Sequence, residues 1–225
     1  MPRAGLTPAS VTDAGAALAD QTGLDQLSMG LLAERLGVKP PSLYKHVDSL
    51  AVLTHRIATL AMTELADAIR DATQGRAGSD ALTATAQATR TFVKEHPGRY
   101  AAGNAAHPTG PDDPLIPASN RLLESLSAVL RGYRLDPSQQ IHALRTLRSM
   151  VHGFATLEAN GGFQIDTDVD DSFRWMVNVI DHGLQAAQAS TDSPTPTKLP
   201  SDPYPPSAAS PLPVTFRRRP SRGQR

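Results

Sequence analysis

Residues 28–53 read SMGLLAERLGVKPPSLYKHVDSLAVL and hold the pattern that decides the fold. Ser28 is a residue type that caps helix N-termini, and Gly37 supplies the backbone freedom that a tight turn needs. Pro40 and Pro41 are tolerated in the first turn of a helix, where a backbone N–H would have no intrahelical partner anyway. The segment therefore predicts two short helices flanking a turn, which is the helix-turn-helix arrangement.

Apolar and polar residues of this segment fall on different faces of the two predicted helices. Ala33 lies four residues before Gly37 and is small enough for the helices to approach each other closely. The second helix is expected to run from Pro40 to about Val47 and to expose groups that a DNA major groove accepts. The expected shared core is Leu32, Leu36, Val38 and Leu43, and the expected exposed groups are Lys39, Ser42, Tyr44, Lys45 and His46.

Helix signals continue on both sides of this segment. Thr7-Pro8 predicts the start of a first helix, and Gly23 predicts its end. Asp48 is the expected N-cap of a fourth helix, in which leucines and isoleucines recur every three to four residues. The sequence thus predicts a three-helix first domain over residues 1–50.

The chain from residue 51 to residue 188 is also helical in pattern, with no strand-like alternation of useful length. Asp136-Pro137-Ser138-Gln139 has the form of a capping box at the start of one long helix. The predicted fold is therefore all-α, with a helix-turn-helix domain followed by a helical bundle over 51–188. Further helices are expected over about 81–96, 118–132, 137–158 and 169–187, and connections over 73–80 and 103–117.

Composition favours packed helices and limits the possible chemistry. Hydrophobic residues make up 40% of the chain and aromatic residues only 4%, so the core must be built from Leu, Ala, Val and Ile. The chain has no cysteine, which excludes disulfides, thiolate metal sites and cysteine nucleophiles. Basic and acidic residues balance at 22 each, so any affinity for DNA must come from placement and dimerisation rather than bulk charge.

The composition changes near residue 189. Residues 190–225 contain nine prolines and much serine and threonine, and such a segment buries too little apolar surface to fold alone. We expect a disordered tail over 189–225 with a basic end around Arg217–Arg219. These arginines can contact DNA phosphates, although a solvated charge run is the simpler interpretation.

Motifs of enzymes, metal sites and membrane spans are missing from the sequence. It holds no G-x-S-x-G and no glycine-rich phosphate loop, and its histidines lack the spacing of metal ligands. No run approaches the about 18 apolar residues of a membrane span. We expect a cytoplasmic protein that is not an enzyme, with no catalytic residues, no cofactor and no metal.

The stretch Leu32-Ala33-Glu34-Arg35-Leu36-Gly37-Val38, followed by Leu43-Tyr44-Lys45-His46-Val47, resembles the N-terminal domain of the TetR family of repressors. The resemblance covers about residues 8–57. It implies that the second helix of the motif contacts bases while neighbouring residues bind phosphates. The DNA-contact residues that it implies are Lys39, Pro40, Pro41, Ser42, Tyr44, Lys45 and His46, with Lys39 and Tyr44 as phosphate partners.

Two positions depart from the family pattern. Leu50 stands where the family usually has a lysine at the start of the fourth helix, so a phosphate contact is lost or replaced by Arg3 or the arginine-rich tail. Gly30 offers no side chain at a position where some relatives read a base. The departures predict modest affinity for DNA or a compensating contact.

The C-terminal half resembles, more loosely, the type of TetR ligand-binding domain that carries a Trp- or His-Gly-Phe segment, here His152-Gly153-Phe154. The resemblance implies that helices 137–158 and 169–187 pair with those of a second subunit. It also implies a small-molecule effector bound within 80–187. The candidate pocket residues are Phe92, Tyr100, Met150, Phe154 and Trp175, although most residues of this kind are core residues. His152 is more readily a packed, hydrogen-bonded histidine than a ligand sensor.

The predicted function is a homodimeric, sequence-specific transcription regulator on a palindromic DNA operator, a repressor that an effector releases. One alternative is a helical small-molecule-binding or enzymatic module whose helix-turn-helix is only structural. Another is a helical scaffold that binds a protein through its last two helices. Alanine at Tyr44 or His46 separates them, because only the first hypothesis predicts loss of operator binding with retained stability.

Overall fold

The computed structural model describes residues 5–191, with side chains described as far as residue 188. Within these residues every regular element is a helix and no strand occurs, which confirms the all-α prediction. None of the described helices combines the length and apolar character that crossing a membrane requires. Arg3 and the predicted tail from residue 192 onward, including Arg217–Arg219, lie outside the described residues.

The first three helices form the N-terminal part, and their ends follow the sequence signals. Thr7 and Ser10 form a reciprocal capping box at the start of the first helix. The Ser28 side chain caps the second helix, and Gly37 ends it in the left-handed conformation with φ of 65°. The helices are α1 (Pro8–Thr22), α2 (Met29–Leu36) and α3 (Pro40–Leu43), with a short 3-10 helix, Leu24–Gln26, between α1 and α2.

The second helix of the motif is shorter than predicted. It ends at Leu43, and the chain then turns so that the N–H groups of His46 and Val47 both donate to the Leu43 carbonyl. The prediction of Asp48 as the next N-cap is wrong. Ser49 takes that position because its backbone is extended and its hydroxyl oxygen accepts the Val52 N–H at 3.2 Å.

Six further α-helices build the rest of the described chain. The helix expected over about 81–96 ends at Glu95, and Pro97 then begins a further helix that was not predicted and that covers part of the connection expected over 103–117. Proline suits that place because its fixed φ matches a first helical turn. The helices are α4 (Leu50–Thr73), α5 (Gly78–Glu95), α6 (Pro97–Ala105), α7 (Leu115–Leu130), α8 (Pro137–Ala159) and α9 (Val169–Thr191).

The cap of α8 differs in detail from the predicted capping box. The Asp136 carboxylate accepts the N–H of Ser138 at 2.8 Å, and Pro137 occupies the first helical position as expected. Gln139 donates its backbone N–H to the Asp136 carbonyl instead of closing the box with its side chain. The start of the helix is therefore where the sequence placed it.

Two hydrophobic clusters hold these helices together. The N-terminal cluster includes Leu32 and Leu43 and continues into the first half of α4 through Leu53 and Ile57, all fully buried. The second cluster lies among the later turns of α4 and helices α5 to α9. Because α4 contributes to both clusters, it connects the helix-turn-helix to the helical body.

Candidate functional site

Residues 39–46 form an exposed segment supported by buried leucines. Leu43 is fully buried on α3 and packs in the same cluster as Leu32 of α2. Around it, Lys39 and Lys45 are exposed and Tyr44 is 50% exposed. Pro40 and Pro41 are also exposed, whereas Ser42 and His46 are half-buried. The structure therefore brings the seven residues predicted to contact DNA onto one continuous surface segment.

The turn that follows α3 is fixed to α4. A guanidinium nitrogen of Arg56 donates to the backbone carbonyl of His46 at 2.8 Å. This bond leaves the His46 ring, rather than its backbone, available to a partner. Gly30 and Leu50, the two departures from the family pattern, are exposed on the neighbouring helices α2 and α4.

The helix-turn-helix contacts the helical body where α1 meets α6. Asp20, near the end of α1, accepts the backbone N–H of Arg99 at 2.8 Å and therefore caps α6 from another helix. The Arg99 side chain lies 2.9 Å from the Asp20 carboxylate and 3.0 Å from that of Glu64 on α4. At Gly98 an added Cβ would lie 2.2 Å from the backbone of Ala19, so only glycine permits this approach.

A small cavity of about 40 Å³, here called the inner cavity, lies between α4, α5, α6, α7 and α8. Most of its wall is apolar and is formed by side chains of α4, α7 and α8. The polar side chains that line the cavity belong to α5 and α6, together with one arginine of α8. The apolar wall includes Leu65, Ile69, Leu126, Leu147 and Val151, and the polar lining residues are Thr85, Thr89, Tyr100, Asn104 and Arg148.

Tyr100 separates the inner cavity from a larger surface groove. Its hydroxyl lies 2.9 Å from Nδ1 of His152, so His152 is a packed, hydrogen-bonded residue in this structure. Burial raises the pKa of the Tyr100 hydroxyl. On the other side of Tyr100 lies a groove of about 590 Å³ between the end of α1 and helices α6 and α8, here called the junction groove. Tyr100 and Asn104 line both spaces.

The five residues predicted for a ligand pocket are not brought together. Only Tyr100 lines the inner cavity, whereas Phe92 lines a different groove beside His96. Met150 lines a groove between α8 and α9. Phe154 packs against the rings of Phe163 and Phe173, and Trp175 is 70% exposed on α9. Aromatic side chains are simply distributed over several helix faces, so their presence in one bundle does not define one pocket.

Sequence reasoning missed the polar lining of the inner cavity. Thr85 and Thr89 lie on the buried face of α5, and two threonines within an apolar stripe were a readable signal of a polar cavity wall. Asn104 lies on α6, which the sequence pattern did not predict, so no helical face was available on which to place it. Arg148 is exposed and carries no local signal.

A buried arginine ties α5 to the last two helices. Arg90 is only 4% exposed, and it binds the carboxylate of Glu158 at 2.6 Å and that of Asp170 at 2.6 Å. Its guanidinium also lies 4.6 Å from the ring centre of Phe173, within cation–π range. The hydrogen bonds from Arg90 hold the pKa of Glu158 below its usual range. No local feature of the sequence distinguishes this arginine from the exposed ones.

Two family models match the chain. Residues 11–49 match the model for bacterial regulatory proteins of the tetR family, and residues 82–180 match the tetracyclin repressor-like C-terminal domain. The HTH-type transcriptional regulator YobS of Bacillus subtilis is 33% identical over 187 residues, which cover 81% of this chain and 95% of that protein. The chain belongs to the TetR family.

A further relative and a solved structure are also similar to this chain. The HTH-type transcriptional regulator Rv0681 of Mycobacterium tuberculosis is 36% identical over 181 residues, covering 80% of this TetR-family chain and 82% of the relative. A variant of TetR from Acinetobacter baumannii, crystallised in complex with minocycline, shares the fold. Its TM-score is 0.56 at 21% identity, and the match covers 83% of this chain and 97% of that one.

Membership in the TetR family confirms the function predicted from the sequence at the level of protein class. The chain is a DNA-binding transcriptional regulator with a C-terminal domain of the ligand-binding type. The prediction of a regulator rather than an enzyme is confirmed by the same family assignment. The alternative of a helical module without specific DNA binding is not favoured.

Proposed function

We propose that this TetR-family regulator is a repressor that binds a palindromic operator as a homodimer and leaves it when an effector occupies the helical body. The observation that carries the proposal is that segment 39–46 is largely exposed and is anchored by buried leucines. Leu43 anchors the segment, so its exposed side chains are presented in one fixed arrangement. The proposed DNA contacts are Lys39, Pro40, Pro41, Ser42, Tyr44, Lys45 and His46.

Exposed apolar residues support dimerisation through helices 137–158 and 169–187. Ile141 on α8 is 47% exposed, and Trp175 and Val179 on α9 are 70% and 42% exposed. The same two helices flank a groove of about 520 Å³ that is largely apolar. A second copy would remove this surface from water. A dimer would also place two copies of α3 on one duplex, whereas a single short helix reads only a few base pairs.

The helical body offers a route from an effector to the DNA-binding segment. The inner cavity is lined by α4 and α6, and both helices contact the N-terminal part. An effector that binds a rearranged conformation of the helical body more tightly than the present conformation would stabilise the rearranged state. It would thereby lower the affinity of the protein for the operator. We assign DNA binding to a domain over 1–50 and effector binding and dimerisation to one over 51–188, in a cytoplasmic protein.

Selection of bound duplexes from a random DNA pool tests the proposal. The purified chain should recover an inverted repeat with half-sites about one helical turn apart. Tyr44→Ala and His46→Ala should each lose most of the affinity for that duplex while keeping the wild-type unfolding midpoint. Arg131→Ala removes an exposed charge near the far end of α7 and serves as a control that should bind normally. Recovery of no common motif would contradict the proposal.

Sedimentation velocity tests the dimer surface separately. Trp175→Arg should convert the protein to a monomer because it places a charge in the centre of the proposed interface. Leu123→Arg changes a leucine that is 47% exposed on α7, outside that surface, and should leave the dimer intact. A wild-type monomer at micromolar concentration, or a dimer that survives Trp175→Arg, would contradict the assigned interface.

A further inference from the structure

Two buried hydroxyl groups lie unpaired on the two sides of Tyr100. Within residues 5–188, three buried side-chain polar atoms lack a hydrogen-bond partner: Oγ1 of Thr85, Oγ1 of Thr156 and Nε of Arg99. The Arg99 nitrogen is compensated by its ion pair with Asp20. Thr85 lines the inner cavity and Thr156 lines the junction groove. A buried polar group without a partner is costly, which favours a partner supplied by a ligand.

Thr85 differs from three nearby threonines on α4 and α5 whose hydroxyls are paired. The hydroxyls of Thr59 and Thr63 each donate to the backbone carbonyl four residues earlier, and Thr89 donates in the same way to the carbonyl of Thr85. Thr85 itself, only 1% exposed, makes no such bond. Its hydroxyl is therefore free to bind a group placed in the inner cavity.

The junction groove is lined by Asp20, whose carboxylate is paired with Arg99, whereas the charge that lines the inner cavity has one sign. Arg148 is the only ionised residue that lines the inner cavity, and no carboxylate lines it. A guanidinium nitrogen of Arg148 donates to Oδ1 of Asn104 at 3.3 Å, and the arginine forms no ion pair within the described part of the chain. The rest of the wall is mostly leucine, isoleucine and valine. The site therefore offers apolar surface with one uncompensated positive charge at its edge.

The volumes of the two spaces indicate that a ligand needs both of them. The inner cavity, at about 40 Å³, holds little more than a water molecule, whereas cavities that admit benzene measure about 150 Å³. The junction groove, at about 590 Å³, falls within the range of ligand pockets. Because Tyr100 and Asn104 line both, a movement of the Tyr100 ring away from His152 would join them into one site.

We propose that the joined site binds an amphipathic organic anion, with its apolar body among Leu126, Leu147 and Val151 and its carboxylate on Arg148 and Asn104. Thr85 and Thr156 then supply hydrogen bonds to polar atoms along the ligand. The assignment rests on the proposed function, because this anion is taken to be the effector. A molecule of this class does not fit the closed inner cavity, so it binds only after the Tyr100–His152 contact opens.

Calorimetric titration of the full chain with three probes that share one apolar body tests the charge preference. Octanoate should bind at least about tenfold more tightly than 1-octanol, since a hydrogen bond to a charged group contributes more than one to a neutral group. Octylammonium should bind more weakly than either. Equal binding of octanoate and octylammonium, or no binding of octanoate, would overturn the proposal.

Matched variants test the residues. Arg148→Gln should remove the preference for octanoate over 1-octanol, whereas Arg145→Gln, an exposed arginine of α8 that does not line the inner cavity, should keep it. Thr85→Val should lower the affinity for octanoate several-fold, and it should leave the melting temperature of the free protein unchanged or raise it. Thr89→Val should lower that temperature because its hydroxyl already has a partner. An Arg148→Gln protein that still prefers octanoate would overturn the assignment of the anion site.

The ligand assignment and the proposed function fail in different ways. Operator binding by the same preparation, measured without any probe, reports on the helix-turn-helix alone. If the operator is bound but octanoate is not, the ligand assignment falls and the DNA-binding proposal stands. If octanoate binds with the expected preference but no operator is recovered, the proposed function falls and the anion site stands.

Discussion

The helix-turn-helix and the helical body of this protein bury different kinds of groups. In the N-terminal part the buried polar side chain is Thr12, whose hydroxyl donates to the Pro8 carbonyl at 2.9 Å. The body buries Arg90 in an ion-pair network and Thr85 with an unpaired hydroxyl beside a cavity. A region in which every buried polar group has a hydrogen-bond partner specifies one conformation. Unpaired polar groups and empty space permit a second conformation.

This difference agrees with the separate tasks of the two regions. The segment 39–46 must present side chains in a fixed geometry, and Leu32 and Leu43 beneath it are fully buried. The body must respond to a small molecule, so it needs a state that the ligand can stabilise. The joint between them is made by α1 and α6 through Asp20 and Gly98.

The largest expected effect comes from emptying the packed N-terminal core. Leu43→Ala should lower the free energy of unfolding by about 3–5 kcal/mol, because a fully buried leucine leaves a cavity that the core cannot refill. Leu147→Ala, at a leucine equally buried but bordering the inner cavity, should cost about 1 kcal/mol less since it already lacks contacts on one side. Urea denaturation measures both, and Leu31→Ala, 42% exposed on α2, is the control. Equal losses of unfolding free energy in Leu43→Ala and Leu147→Ala would show that the two cores do not differ in packing.

Breaking the buried ion pairs of the body should have the next largest effect. Arg90→Met removes the buried partner of Glu158 and leaves its carboxylate with the exposed Lys94, so it should lower the unfolding free energy by about 3 kcal/mol. Adding Glu158→Leu should restore much of this loss, because no buried charge then remains unpaired. Arg70→Met removes an exposed arginine paired with Asp67 and Asp71 and should leave the urea midpoint unchanged. A double variant no more stable than Arg90→Met would show that the charge itself is not the cause.

The joint between the two regions is tested by adding one methyl group. Gly98→Ala should destabilise the protein by about 1–3 kcal/mol, because the new Cβ would meet the backbone of Ala19, which cannot turn away. Gly30→Ala places the same group on a helix with nothing nearer than 4.0 Å and should be neutral or slightly stabilising. Thermal unfolding compares the two variants. A neutral Gly98→Ala would mean that α1 and α6 are not held as closely as the structure shows.

A smaller effect is expected from acid, at the start of α7. The Thr109 N–H, the His55 ring and the Leu115 N–H hold the pKa of Asp113 well below its usual range. Because this pKa is lower in the folded chain, the ionised carboxylate stabilises the fold above about pH 4, and that contribution is lost as the pH falls further.

The unfolding free energies of the wild type and of Asp113→Asn, measured from pH 7 to pH 3, check this expectation. The difference between the two proteins should be constant down to about pH 5 and should shrink below about pH 4. A difference that does not change with pH would mean that the charge of Asp113 does not contribute, and that only its hydrogen-bonding geometry matters.

Much of the N-terminal region could be predicted from the sequence because its signals are local. The caps Thr7 and Ser28 and the turn at Gly37 depend on neighbouring residues only, and each lies where the sequence placed it. The exceptions are the end of α3, at Leu43 rather than about Val47, and the cap of α4, where two adjacent residues, Asp48 and Ser49, could both serve. The choice between them depends on the backbone angles of a turn, which sequence alone does not specify.

The body was less predictable because its features depend on distant parts of the chain. Arg90 and Glu158 are 68 residues apart, and nothing local marks them as partners. The cap of α6 comes from Asp20 on another helix, so the sequence around Pro97 lacks the usual start signal. The inner cavity is likewise a space left between five helices. Apart from the two threonines on the apolar face of α5, its polar residues are therefore visible only once the helices are packed.

The claim that a dimer binds DNA through two copies of α3 is tested most directly by changing the spacing of the selected operator. Inserting five base pairs between the half-sites turns one of them to the opposite face of the duplex. The account predicts that the affinity falls about 100-fold or more, to the level of a single half-site. An insertion of ten base pairs, which restores the facing, measures how far the dimer tolerates distance alone. An affinity unchanged by the five-base-pair insertion would contradict the account, because each reading segment would then bind independently.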